Sequence, residues 1–97
     1  MGKYKLSNRA LEDLSEIWNY TFDEWSEQQA DKYYELILAS CQDLANNPEF
    51  GKKYEIGIQG VFGYRSNRHI IFFIELREGE IEIVRILHEM MDLKKKC

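Results

Sequence analysis

Five basic side chains in the second half of the sequence are of the types that handle anions or protons. Arg65, Arg68 and His69 lie at the end of one β-rich run and the start of the next, while Arg85 and His88 lie on the last run. Antiparallel pairing of these runs would bring all five together. Arginine binds anions as a charged clamp and histidine carries protons near neutral pH. The cluster predicts an anion-handling or acid–base surface, or else a structural role in which Arg85 pairs with a helix carboxylate.

Other familiar kinds of site find no support in the sequence. The two histidines are not at ligand spacing on one element, and neither Cys41 nor Cys97 has a CxxC or histidine neighbour, so we expect no metal. The scattered glycines form no phosphate loop or dinucleotide fingerprint. No serine lies in a nucleophile motif. We therefore expect no catalytic nucleophile, no cofactor, and two free thiols in a reducing compartment.

The elements that must position the basic cluster follow from hydrophobic periodicity. Residues 4–6 predict an edge strand, and Ser7 predicts the N-cap of a first helix. The apolar stripe of that helix is predicted at Leu11, Leu14, Trp18, Thr21, Phe22 and Trp25, and its solvent side at Glu12, Asp13, Glu16, Asn19 and Asp23. A capping box at residues 26–29 begins a second helix, which Pro48 ends. Its buried stripe is predicted at Ala30, Tyr33, Tyr34, Ile37, Cys41, Leu44 and Ala45.

The remainder of the chain predicts strands. Residues 61–66 and 68–76 are β-rich, and residues 81–88 alternate Ile81, Ile83, Arg85 and Leu87 with Glu82, Val84, Ile86 and His88. Gly79 supplies the turn before the last strand. The expected fold class is α+β, in the order β-α-α-β-β-β, with an antiparallel sheet packed against an N-terminal helical hairpin. We expect residues 1–97 to form one domain.

The charge distribution narrows the class of partner. Residues 7–50 carry ten acidic against two basic side chains, whereas residues 51–97 carry nine basic against seven acidic ones. An acidic body disfavours a protein that grips nucleic acid by charge alone. No apolar run approaches the roughly 20 residues that span a bilayer, and from the polar residues after Met1 we expect no signal peptide. These features predict a cytoplasmic protein with a protein partner. Trp25, at the tip of the hairpin, is either a contact residue or a staple between the helices.

Several motifs resemble the ParE branch of the RelE/ParE toxins of bacterial toxin–antitoxin pairs. Residues 85–92, RILHEMMD, resemble the closing signature of that branch. Residues 47–52, NPEFGK, resemble its helix-ending PxxGK. Residues 63–66, GYRS, and 68–73, RHIIFF, resemble two of its strands, and residues 6–14 its first strand and helix. The resemblance covers nearly the whole chain.

The resemblance implies a toxin that poisons DNA gyrase by binding, stalls the cleaved DNA–gyrase complex and contributes to plasmid stabilisation. The residues expected to matter for gyrase inhibition are Arg65, Arg68, Arg85, His88, Met90, Asp92 and Trp25. The resemblance also implies a ParD-like antitoxin whose C-terminal segment folds on an apolar groove beside the hairpin, giving a hetero-oligomer. The residues expected to bind it are Leu14, Trp18, Tyr34, Phe72 and Phe73.

Two other functions remain open at this point. One is that of the RelE branch, which cleaves mRNA on the ribosome with basic, tyrosine or histidine groups. The acidic composition, with a pI of about 5.2, argues against it. The other is a degenerate, non-toxic family member that keeps only antitoxin binding. Neither alternative changes the expected fold.

Overall fold

A computed structural model describes residues 2–53 and 60–88 of the chain. In chain order they form strand β1 (Lys3–Leu6), helix α1 (Asn8–Glu24), helix α2 (Glu27–Asn46), a 3₁₀ turn (Pro48–Phe50), β2 (Lys52–Lys53), β3 (Phe62–Ser66), β4 (His69–Arg77) and β5 (Glu80–His88). The predicted α+β class and element order are confirmed, with the two-residue β2 as an addition. The hairpin of α1 and α2 covers one face of the sheet.

Both helices begin at the predicted caps. The Ser7 hydroxyl accepts from the Ala10 N–H at 3.0 Å and donates to the Val84 carbonyl of β5, also at 3.0 Å. The Ser26 hydroxyl accepts from the Gln29 N–H at 3.1 Å. Each bond satisfies one of the amide groups that the first turn of a helix leaves without a partner. The cap of α1 therefore also fixes that helix to the sheet.

The sheet has the strand order β1-β5-β4-β3-β2 within the described residues. Strands β2 to β5 are antiparallel, which confirms the prediction for β3, β4 and β5. The first strand departs from the prediction: β1 runs parallel to β5, with Lys3 opposite Glu80 and Leu6 opposite Ile83, so the sheet is mixed. The chain leaves β1 directly into α1, and the Ser7 N–H donates to the Ile83 carbonyl at 3.0 Å. This bond extends the parallel ladder up to the helix cap.

Strand β5 contains a β-bulge that the sequence pattern did not reveal. Residues 72 and 73 of β4 pair with residues 85 and 83 of β5, which leaves Val84 as an extra residue. A bulge shifts the alternation of side chains that follow it. Ile83 and Ile86 therefore both lie in the core beneath the helices, while Leu87 joins the opposite face. The predicted alternation is therefore wrong from Ile86 onward, whereas Arg85 stays on the predicted helix side.

The buried face of α2 is the predicted one, but that of α1 is shifted. The buried α2 residues are Ala30, Ile37, Cys41, Leu44 and Ala45. On α1 the buried residues are Ala10, Asp13 and Leu14. The predicted stripe residues Leu11, Phe22 and Trp25 are instead 46, 45 and 75% exposed. Asp13 was expected on the solvent side and is buried because it pairs with Arg85 of β5.

The core also contains the predicted free thiol of Cys41. Burial raises its pKa to about 12, because the surroundings disfavour the charged thiolate. Cys97 lies outside the described residues. In the part of the chain that is described, neither helix combines the length and the apolarity needed to cross a membrane.

Candidate functional site

A cavity of about 570 Å³ opens between the hairpin and the sheet, where β4 begins and β5 ends. Four of the residues predicted from the basic cluster and the hairpin tip line it: Trp25, Arg68, Arg85 and His88. His69, the remaining histidine of the cluster, lines it as well. Pairing of the last strands thus brings four of the five residues of the predicted cluster together. Arg65 is exposed on β3 and is not among the lining residues, and Met90 and Asp92 lie outside the described residues.

One wall of the cavity is fixed by an ion pair between Asp13 of α1 and Arg85 of β5. Arg85 Nε donates to Asp13 Oδ2 at 2.8 Å, and Arg85 Nη2 donates to Asp13 Oδ1 at 3.1 Å. Asp13 Oδ2 also accepts from the Ile86 N–H at 2.9 Å. The hydrogen bond to Asp13 is the main reason why the pKa of Arg85 is raised. The predicted pairing of Arg85 with a helix carboxylate is therefore confirmed.

Asp13 is a site residue that the sequence analysis placed on the wrong side of α1. A carboxylate in a helix of acidic sequence predicts a solvated position, and nothing local distinguishes Asp13 from Glu12. Only the position of Arg85 on an apolar strand face carries a signal, because a buried guanidinium requires a carboxylate partner. Which of the acidic residues supplies it depends on the crossing of α1 over β5.

The second wall is formed by Tyr33, His69 and His88. The Tyr33 hydroxyl lies 2.7 Å from His69 Nδ1. The His69 and His88 rings meet edge to face with centroids 5.1 Å apart, since these residues are opposite each other in the β4–β5 register. The Arg68 N–H donates to the Tyr33 hydroxyl at 3.4 Å. Tyr33 was predicted as core, so its contact with a histidine was not expected from the helical stripe.

A tight turn positions Arg68 and His69 at the cavity. Ser66 pairs with His69, which leaves only Asn67 and Arg68 in the loop between β3 and β4. Asn67 has a φ of 57°, a left-handed conformation that asparagine adopts more readily than most residues. The turn therefore directs His69 inward, where it is buried, and leaves Arg68 at the rim.

The hairpin tip supplies the aromatic part of the rim. Trp25 is the C-cap of α1, and its N–H donates to the Thr21 carbonyl at 2.8 Å, but its side chain is 75% exposed. Tyr20, on the same side of α1, is 65% exposed and also lines the cavity. Of the two interpretations of Trp25, the exposure favours a contact residue over a staple. Exposed indole and phenol rings are typical of protein-contact sites.

Of the five residues expected to bind an antitoxin, three are buried and two are partly accessible. Leu14 and Phe73 are buried in the core between helices and sheet, and Phe72 is buried with Val61 and Leu87 on the opposite sheet face. These three do not line a surface groove, because the packing of the sheet encloses them. The remaining two candidates, Trp18 and Tyr34, are half-buried on the hairpin. Trp18 stacks on Phe22 with ring centroids 5.2 Å apart.

The geometry suits binding through charge, aromatic rings and hydrogen bonds. Arg68 and the two histidines offer donors on one side, and Trp25 and Tyr20 offer apolar contact on the other. In the described ranges no three histidine, cysteine or carboxylate side chains converge as metal ligands. The Tyr33 hydroxyl and His69 Nδ1 are close enough for proton exchange, which is an acid–base arrangement within the described part of the cavity.

Both the fold and the sequence of this chain are similar to those of known proteins. The structure is similar to a chain of the chromosomal ParDE toxin–antitoxin system from P. aeruginosa, with a TM-score of 0.75, 21% identity, and coverage of 91% of this chain and 96% of that one. The two chains accordingly share a fold, which in the described residues of this chain is two helices packed on a mixed five-stranded sheet.

Sequence similarity identifies the protein family more specifically than the structural similarity does. Residues 4–93 match the family described as the ParE toxin of type II toxin-antitoxin system, parDE. Toxin ParE1 of Mycobacterium tuberculosis is 32% identical over 94 residues, and Toxin ParE1 of Caulobacter vibrioides is 34% identical over 95 residues. Both alignments cover 97% of this chain and 96% of the relative. The chain belongs to the ParE toxin family of type II toxin–antitoxin systems.

Proposed function

We propose that this ParE-family toxin inhibits DNA gyrase by binding it and trapping the cleaved DNA–gyrase complex, and that the cavity beneath the hairpin is the gyrase-binding site. The toxin itself breaks no bond in this proposal. It acts as a single domain of residues 1–97 in the bacterial cytoplasm. The observation that carries the proposal is the convergence of Trp25, Arg68, Arg85 and His88 on one cavity.

The cavity suits a protein or protein–DNA target better than free nucleic acid. Arg85 is neutralised by Asp13, and Glu16 adds a further carboxylate to the lining. Arg68 at the rim is then the cation best placed for a partner, beside the exposed ring of Trp25. Arginine and tryptophan are the side chains that contribute most often to the energy of protein interfaces. Arg65 and Asp92 stay candidates on the resemblance alone, and Met90 stays one as the position where this sequence departs from the arginine common in the family.

The second part of the proposal is neutralisation by a ParD-like antitoxin in a hetero-oligomer. Among the predicted antitoxin contacts, Trp18 and Tyr34 have accessible surface, so the proposal rests on the hairpin side of the molecule. The structurally similar chain from P. aeruginosa is part of a ParDE system, which supports an antitoxin partner of that kind. The antitoxin segment folds on this surface and keeps the toxin inactive.

The test measures DNA supercoiling by purified gyrase with ATP, scoring both the loss of supercoiled product and the accumulation of cleaved DNA. Wild-type protein is expected to cause both. Arg68→Ala and Trp25→Ala should raise the concentration for half-inhibition at least tenfold, because they remove rim contacts without opening the core. Arg9→Ala and Phe50→Ala are the matched controls: an arginine and an aromatic residue that are exposed away from the cavity and should stay within twofold.

A specific observation favours mRNA cleavage as the second candidate function. The Tyr33–His69 hydrogen bond with His88 alongside is the kind of arrangement that moves a proton from a ribose hydroxyl. A ribosome-dependent cleavage assay run beside the gyrase assay separates the two. Cut mRNA with unaffected gyrase contradicts the gyrase proposal. Folded protein that is silent in both assays would be a non-toxic antitoxin-binding member of the family.

A further inference from the structure

An apolar strip runs along the outer face of α1, away from both the sheet and the cavity. At 100° per residue, Leu11, Trp18 and Phe22 fall within about 40° of one another around the helix. Leu11 and Phe22 are 46 and 45% exposed, and Trp18 stacks on Phe22. Tyr20, which lines the cavity, lies about 180° from Leu11 on the same helix. We call Leu11, Trp18 and Phe22 the outer strip.

A row of carboxylates on α2 borders the outer strip. Trp18 Nε1 donates to Asp31 Oδ1 at 2.9 Å, which fixes Asp31 beside the strip. Glu27 and Glu35 lie four residues before and after Asp31, so the three acidic side chains follow one line along α2. All three are exposed, and none forms an ion pair within residues 2–53 and 60–88. We call them the acidic row.

The net charge of the whole hairpin is negative, which also favours a cationic partner. Helices α1 and α2 together carry nine acidic and two basic side chains, a formal net charge of −7. Carboxylates four residues apart on a helix repel one another and destabilise it. Cations placed along the acidic row would remove that repulsion. A second copy of this chain would add to the repulsion, and so would a nucleic acid or an anionic membrane.

We propose that the outer strip and the acidic row together dock a cationic amphipathic helix of a partner protein, with its apolar residues on Leu11, Trp18 and Phe22 and its lysines or arginines on the carboxylates. The strip extends over eleven residue steps of about 1.5 Å each, which matches about three turns of a partner helix. The proposal supplies the chemistry of the antitoxin segment that contacts Trp18 and in that respect rests on the proposed function. It makes the hairpin a two-sided element, with one face for the partner helix and the other for the cavity.

The test uses two synthetic 18-residue amphipathic peptides that share a leucine face, one flanked by lysines and the other by glutamates. In a Trp25→Phe protein, Trp18 is the only tryptophan and reports on the strip. The lysine peptide should change its emission saturably, with an affinity that falls as salt rises. The glutamate peptide should leave the emission unchanged. No saturable change with the lysine peptide, or equal binding of both peptides, overturns the proposal.

Variants distinguish binding through the outer strip from general electrostatic attraction of the peptide. Leu11→Ser with Phe22→Ser should weaken lysine-peptide binding at least tenfold. Tyr20→Ser with Leu36→Ser, large side chains off the strip that are at least about as exposed, should change it less than twofold. Glu27→Gln with Glu35→Gln should weaken it at least fivefold without altering any apolar contact. Unchanged affinity in both the strip and the row variants refutes the proposal. Gyrase inhibition is scored separately on the protein that keeps Trp25 and Tyr20, and peptide binding does not require it, so the two proposals fail separately.

Discussion

The perturbation with the best-defined consequence is removal of the Asp13 carboxylate. Asp13→Ala leaves the Arg85 guanidinium and the Ile86 N–H without the acceptor that the structure provides at 2.8–3.1 Å. A hydrogen bond to a charged group contributes roughly 1.5–3 kcal/mol, and breaking a buried pair costs about 3–5 kcal/mol. The Arg85 side chain is one-third exposed, so water replaces part of the interaction. The expected loss of unfolding free energy is about 2–4 kcal/mol for this reason.

Two further variants isolate the pair. Asp13→Asn keeps the shape of the side chain and an oxygen for the Ile86 N–H, so it should cost about half as much as Asp13→Ala. Arg85→Met removes the guanidinium but keeps an apolar stem, and it leaves Asp13 with only its backbone donor. The double variant Asp13→Ala/Arg85→Met leaves neither group unpaired. Its cost should be smaller than the sum of the two single costs by about 1–3 kcal/mol.

The assay is urea unfolding followed by circular dichroism, with thermal melts as a second measurement. Each kcal/mol should lower the Tm by roughly 4–8 °C for a chain of this size. The control is Arg77→Met, which removes a pair with Glu80 that is just as short, at 3.0 Å, but has an arginine side chain that is 76% exposed. Such an exposed pair should contribute less than about 1 kcal/mol. If Asp13→Ala cost no more than this control, or if the double variant were additive, the pair would not stabilise the fold as argued.

Three other predictions concern the scaffold. Ser7→Ala should cost about 1 kcal/mol more than Ser26→Ala in urea unfolding, because Ser7 both caps a helix and donates to the sheet; equal costs would contradict this. Gly51→Ala should cost about 1–3 kcal/mol, because the new Cβ would overlap the buried ring of Phe73, and an unchanged Tm would show that the ring yields. The pKa of Cys41 is about 12 in the folded protein and about 9 in the unfolded chain. The contribution of the neutral thiol to the free energy of unfolding is therefore fully present below pH 9, and it falls by up to about 1.4 kcal/mol per pH unit between pH 9 and 12. Cys41→Ala should lack that part of the pH dependence, and an identical profile would refute the argument.

Local chemistry explains why much of the fold was predictable from the sequence. The caps at Ser7 and Ser26 and the end of α2 before Pro48 depend on a few neighbouring residues, and all three lie where predicted. The hairpin of β4 and β5 follows from two β-rich runs around Gly79, whose φ is +80°. Its register places His69 opposite His88. Antiparallel pairing of consecutive strands therefore brings Arg68, His69, Arg85 and His88 together, and it can be predicted without any knowledge of the helices.

Tertiary contacts decide the features that the sequence did not predict. The bulge at Val84 has no signature in the sequence of residues 81–88, yet it exchanges the predicted faces of Ile86, Leu87 and His88. Likewise, the parallel pairing of β1 depends on how α1 crosses β5. The burial of Leu14, Phe72 and Phe73 could not be separated from a surface groove, because apolar residues of similar spacing serve both purposes.

In α1, the predicted apolar stripe and the observed buried face differ, and this difference bears on binding. A helix with one buried face shows one apolar stripe, but α1 has three different surroundings: the core at Ala10 and Leu14, the cavity at Tyr20, and solvent at the outer strip. If α1 were rotated to bury Leu11 and Phe22 in the core, the rigid helix would turn Tyr20 away from the cavity and Asp13 away from Arg85. The mismatch between the apolar stripe and the buried face therefore follows from a second apolar surface on the same helix. Such a surface needs a partner to cover it, which is the physical reason to expect binding on the outer face of the hairpin.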